Sequence, residues 1–174
     1  MLPEMHHAMQ RFQQEMEQVD DVAHVLLKGH LLIEEGVNRV LEQYVFHREH
    51  LREARLSFHH KVLLARALCL RKNTFGVWEL IGAINSLRNV LAHSLQSPER
   101  QKKLATLKAI YFREAAEFES IEEVKKQSDA AILTRACSHC GGFLATFEGD
   151  SKAFRQMVHA MDRTINPDEP EFEL

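Results

Sequence analysis

An all-α fold, arranged as an up-and-down helical bundle, is what this sequence predicts, and three observations predict it. Turn residues are scarce: the 174 residues include only 7 Gly and 4 Pro, too few for the many tight turns of a sheet protein this long. Apolar residues recur at three- and four-residue spacings in one segment after another, as they do in helices buried along one side. No segment sustains a period-two alternation bounded by turns, so strands are not predicted. With 45% hydrophobic residues the chain can bury one sizeable core, and its length favours one domain.

The elements follow in order. Residues 4–18 are polar and weakly periodic, and the first nineteen residues read as an N-terminal helical extension. Asp20 or Asp21 caps a long helix reaching about Phe46, with Val22, Val25, Leu26, Leu32, Ile33, Val37, Val40, Leu41 and Val45 at helical spacing. Ser57 caps a third helix through Val62, Leu63, Ala65 and Leu68. Arg71–Gly76 is a turn. A fourth helix runs from about Val77 to Ala92 on the stripe Val77, Leu80, Ile81, Ile84, Leu87 and Leu91. Ser97-Pro98 is a cap followed by proline at the first helical position, and the helix after it carries Leu104, Leu107, Ile110 and Tyr111. Ser120-Ile121-Glu122-Glu123 fits a capping box and opens a helix to about Phe147. Glu148–Ser151 reads as a turn before a last helix, Lys152–Ile165. These elements make one bundle domain, residues 20–165, with its core in about 20–118. Residues 166–174 form an acidic tail expected to be disordered.

Charge is unevenly spread. The formal net charge is -3, but residues 1–47 carry 3 Lys/Arg and 8 Asp/Glu, residues 48–113 carry 13 and 4, and residues 114–174 carry 6 and 13. A basic middle between acidic ends is either a footprint for a polyanion or a set of helices that neutralise one another within the fold. No apolar run is long enough for a membrane span, and the N-terminus lacks the pattern of a secretory signal. Three cysteines in such a chain predict free thiols in a reducing cytoplasm rather than a disulfide framework.

The motif with chemical promise is Arg88-Asn89-Val90-Leu91-Ala92-His93, at the end of the fourth helix. Asn89 and His93 are four apart and share a face. Arg88 flanks the apolar stripe, so its stem can lie along the core while its head reaches out. Arginine offers a permanently charged planar fork to phosphate oxygens, histidine moves protons near neutral pH, and asparagine orients either. The bland reading is that all three cap carbonyls and complement the helix dipole.

In this motif, and in the two segments Lys28–Leu41 and Ser57–Leu68, the sequence resembles the HEPN superfamily, helical bundles of toxin–antitoxin systems, RNA-guided defence and anti-phage proteins. Many members carry an Arg, a polar residue and then a His within a few positions at one helix end. The resemblance covers roughly residues 20–115. It implies a metal-independent endoribonuclease without cofactors, in which a ribose 2′-OH attacks the adjacent phosphate and leaves a 2′,3′-cyclic phosphate and a 5′-OH. His93 would act as general base or acid, Arg88 would stabilise phosphoryl charge, and Asn89 would polarise or position. His30 and Glu34 on the long helix are supporting candidates, with Glu34 orienting Arg88 or His93. The resemblance also implies a homodimer with its two motifs facing one another, and an antitoxin or regulatory protein as a further partner. Silent relatives of the mannitol repressor type imply the alternative, a non-catalytic transcriptional regulator or protein-interaction module. The acidic tail is a candidate autoinhibitory mimic of nucleic acid.

Other clusters read as structural. Cys137-Ser138-His139-Cys140 is a single Cys-x-x-Cys, whereas a structural zinc site wants four ligands, so the cysteines are expected to pack as small hydrophobes and no metal is expected. His47 and His50, and His59-His60, read as solvated surface. A helix-turn-helix over Val62–Leu80 would need a tighter turn than Arg71–Gly76.

Overall fold

The computed structural model describes residues 21–70, 72–93, 98–170 and Phe172, with the backbone alone at His93. Every regular element among them is an α-helix: α1 (Asp21–Tyr44), α2 (Arg48–Glu53), α3 (Phe58–Leu68), α4 (Val77–His93), α5 (Pro98–Ala115), α6 (Ile121–Lys125) and α7 (Asp129–Ile165). None is long and apolar enough to cross a membrane. The helical extension expected in residues 1–19 and the Ser97 cap lie outside the described residues.

Local chemistry sets several boundaries. Ser57 stands in extended backbone and its Oγ accepts from the His60 N–H, so α3 begins where a side-chain cap is available. The apolar stripe of α4 is buried at all six expected positions. Trp78 is buried beside them, and its indole N–H donates to the Lys72 carbonyl at 2.8 Å, which ties the turn before α4 to its first residues.

Two expectations fail in the last third. The capping box at Ser120 does not form: Ser120 makes no side-chain cap bond, and Glu123 pairs with Lys126 instead. α6 is a single turn, and the helix begins again at Ser128, whose Oγ accepts from the Ala131 N–H. The expected turn at Glu148–Ser151 is helix, and α7 runs unbroken for 37 residues. The turn-forming side chains there are all engaged in ways that suit a helix. Glu148 takes Arg39 and Lys152, Asp150 takes Lys72, and buried Ser151 folds its Oγ back onto the Phe147 carbonyl.

The topology also departs from up-and-down order. α1 meets α7 at Gly29 with Cys137, at Gly36 with Leu144, at Arg39 with Glu148, and at Gln43 and Val45 with Arg155. Both sequences advance together, so the two longest helices lie parallel. α4 runs against α1, since Asn85 meets His30 while Trp78 packs on Phe147, which in turn meets Tyr44 at the far end of α1. α5 returns from α4 in a hairpin and therefore runs with α1 and α7. The stretch holding α6 carries the chain back to the starting end.

The core is accordingly not confined to residues 20–118. Ile132, Leu133, Ala136, Cys140, Leu144 and Phe147 of α7 belong to the same buried cluster as Leu26, Ile33, Val37 and Val40 of α1. Gly29 shows how close the seam is: a Cβ there would collide with the Cys137 side chain.

Candidate functional site

The motif residues lie on the last turns of α4, where that helix crosses the N-terminal half of α1. The core stripe of α4 fixes their direction. With Leu87 and Leu91 buried, Arg88 falls at the edge of the stripe and is half-buried, and Asn89 is exposed. Arg88 Nη1 donates to Asn89 Oδ1 at 3.3 Å. His93 closes α4, and its side chain lies outside the described residues.

A residue absent from the sequence-based set joins them. Asn85 sits one turn before Asn89 on the same face, and its Oδ1 accepts from His30 Nε2–H at 3.2 Å. His30 is itself buried, with its ring 4.5 Å from that of Phe58. Burial holds the His30 pKa below 6.5; the bond to Asn85 works against this, the positive charge of Arg88 works with it, and the charge of Glu34 against it. His30, Asn85, Arg88 and Asn89 thus form one polar junction of α1 and α4. The signal for Asn85 was legible in its spacing, four before Asn89 and eight before His93.

Glu34 takes another partner. Its Oε1 accepts from Lys61 Nζ at 2.8 Å, so it braces α1 to α3 and does not hold Arg88, one of its two expected partners; the other, the His93 side chain, lies outside the described residues. Its charge also acts on His30.

Much of the basic middle is spent inside the fold. Arg52 pairs with Glu42, Lys61 with Glu34, Lys72 with Asp150, Lys108 with Asp129, and Arg113 with Glu79 and Glu114. Among the described residues, Arg88 and the nearby Lys102 and Lys103 of α5 pair with no carboxylate. A recess of about 670 Å³, lined by Phe75, Arg113, Phe118, His139 and Phe143 among others, lies at the opposite end of α4 from the motif.

The remaining clusters occupy structural positions. Cys140 is buried in the core, and Cys137 is half-buried against Gly29. Burial pushes the Cys137 thiol up to about 11 and that of Cys140 well above its ordinary value, which makes both poor nucleophiles. Among the described residues, no three His, Cys, Asp or Glu side chains are grouped to hold a metal ion. His47 and His50 are exposed beside Glu49 and Glu53, and His60 shares a hydrogen bond with Ser57.

The end of the chain lies far from the motif. Phe172 packs on Phe46 and His159 and stacks over the Arg155 guanidinium, beyond the C-terminal end of α1. His30 and Tyr44 are 14 residues apart on α1, roughly 20 Å at 1.5 Å per residue. The described end of the chain, through Phe172, therefore lies away from Arg88.

No family model, curated protein or solved structure matches this chain.

Proposed function

We propose that the chain is a HEPN-like, metal-independent endoribonuclease of toxin or phage-defence type, with its site at the C-terminal end of α4. The observation that carries this reading is the state of Arg88. It is half-buried, with Asn89 as its neighbour, and it pairs with no carboxylate among the described residues. An arginine kept for a phosphate has this character, because a bound carboxylate would have to be displaced first. Lys102 and Lys103 add positive charge on the adjoining helix.

In this reading a ribose 2′-OH attacks the adjacent phosphorus, and the bond from phosphorus to the 5′ oxygen breaks. The 2′-OH proton goes to His93 acting as base, and the leaving 5′ oxygen takes a proton from the His93 of a second copy facing it. Arg88 stabilises the charge on the non-bridging oxygens, and Asn89 holds the guanidinium in place. Asn85 and His30 fix the face of α4 from which both reach out. The alternative, a non-catalytic regulator of the same fold, draws its support from the extent to which acidic helices neutralise the basic middle.

Incubating a mixed RNA pool with the protein in EDTA, beside His93→Ala and Arg88→Ala, decides between them. The expected result is cleavage leaving 2′,3′-cyclic phosphates, reduced at least about a hundredfold in each variant, the scale of removing one proton-transfer or charge-stabilising group. Absence of cleavage by the folded wild-type chain across a wide range of protein and RNA would sink the nuclease reading.

A further inference from the structure

The recess at the far end of α4 is built from three parts of the chain. α7 lends it one face, carrying His139, Gly142 and Phe143. The turn after α5 lends Glu117 and Phe118, and the turn before α4 lends Phe75. Both turns are pinned. Phe118 and Glu119 donate their backbone N–H groups to the Ala115 carbonyl at 2.9 and 3.0 Å. Gly76 lies so close to α5 that a Cβ there would collide with the Glu114 carboxylate. The recess is therefore fixed by the fold, and its volume of about 670 Å³ falls in the range of small-molecule sites.

Four aromatic rings line it, and they come in two tilted pairs. Phe75 and Phe143 have centroids 6.1 Å apart, and Phe118 and His139 6.4 Å apart. Phe118 is 75% and Phe75 48% exposed. Large apolar side chains left bare around one cavity mark a place where something binds, and bare rings offer the negative faces of their π-systems to it.

Charge points the same way. Arg113 at the rim is already held, by Glu79 at 2.6 Å and by Glu114 at 3.0 Å. Glu117 pairs with no cation among the described residues. One Arg thus stands against three Glu around the recess, and this surplus of negative charge selects a cation over an anion. A metal ion or a primary ammonium would have to give up strongly held water to reach the rings. A quaternary ammonium has no N–H to hydrate and carries its charge within an apolar shell, so aromatic faces beside a carboxylate suit it.

We propose that the recess binds a small molecule bearing a quaternary ammonium group, the cation seated among Phe75, Phe118 and Phe143 with Glu117 as its counter-charge. Gly142 keeps the space open, since a Cβ there would meet nothing within 4 Å. The site is separate from the motif: Val77 at its edge stands eleven residues before Arg88 on α4, roughly 16 Å away.

Titrating the intact chain with choline tests this, beside the neutral isostere in which a tert-butyl group replaces the trimethylammonium. Binding is read from the methyl proton signal of each ligand and from the fluorescence of Trp78. It is the chain's single tryptophan and packs 5.1 Å from Phe143. Choline should bind saturably, and the isostere about tenfold more weakly, the scale of a cation–π contact. Phe118→Leu keeps the apolar bulk and removes the ring, so it should weaken choline about tenfold and the isostere little. Glu117→Gln should weaken choline about threefold, as for an exposed charge, and leave the isostere unchanged. Gly142→Leu fills the recess and should abolish binding of both ligands, with circular dichroism showing the helices retained. Phe118 and Glu117 are exposed, so their variants decide the matter even where Gly142→Leu fails to fold. The proposal is overturned if choline does not bind saturably, if the isostere binds as tightly, or if Phe118→Leu or Glu117→Gln leaves choline binding as it was. None of these readings involves RNA, so their failure is distinct from failure of the nuclease reading.

Discussion

His30 is the residue on which the polar junction turns. It sits at a core position of α1, donates to Asn85, and feels the positive charge of Arg88. Its pKa lies below 6.5, with burial the largest cause. In the unfolded chain the ring takes a proton once the pH falls through 6.5, but in the folded chain it resists until lower pH. Stability associated with His30 is therefore fully present above that value and is lost as the pH falls toward the folded pKa. Urea midpoints measured from neutral to mildly acidic pH should fall more steeply for wild type than for His30→Gln, because the other histidines are common to both. Equal slopes would show that His30 carries no shifted proton. At this scale Arg88 and Asn89 were legible because they are polar groups in a fixed order at a helix end. The actual partner of Glu34 was not, because Lys61 is 27 residues away in sequence and only the crossing of α1 with α3 brings the two together.

At the scale of elements, the close approach of α1 and α7 rests on Gly29. A methyl group there would overlap the Cys137 side chain, and overpacking of this kind costs about 1–3 kcal/mol. The gain in helix propensity from Gly to Ala offsets about 1 kcal/mol of it. Gly29→Ala should therefore lower stability in the wild-type background and become neutral or stabilising when combined with Cys137→Ala, which vacates the space. A double-mutant cycle by urea unfolding reads the coupling, and additive effects would place the two residues out of contact. The first elements were readable because their signals are local, as with the Ser57 cap and the stripe from Val77 to Leu91. The last third was misread because local signals there are overruled from a distance. Glu148, Gly149, Asp150 and Ser151 have turn chemistry, yet Arg39 and Lys72, far away in sequence, hold the two carboxylates in a helical frame. Glu148 shows the balance: burial pushes its carboxyl up, but hydrogen bonds from Lys152 and Arg39 together hold it below its ordinary value. Ser128 likewise captures a helix start that Ser120 advertises.

The whole molecule has one core, and α7 is part of it. Trp78 of α4 packs edge-on against Phe143 and Phe147 of α7, with ring centroids 5.1 and 6.1 Å away. Its fluorescence therefore reports docking of the last helix, whereas far-ultraviolet circular dichroism reports all helices. The two transitions in urea should coincide, as in two-state unfolding, and a fragment ending at residue 118 should show no cooperative transition, because it would leave the α1 seam and Trp78 uncovered. An early fluorescence change with helicity retained would instead make α7 an appendage. The parallel seam also has a mechanical consequence. Asp21 enters at one end of the long axis and Ile165 leaves at the other, separated by the length of α7, whose 37 residues span roughly 55 Å. A pull applied to the two ends would draw α1 and α7 past each other along their common axis. Every contact of the seam would bear that load together, whereas an antiparallel pair pulled from adjacent ends peels apart one contact at a time. Between Asp21 and Ile165 the chain is built as a strut, stiffest along the axis that α1 and α7 share.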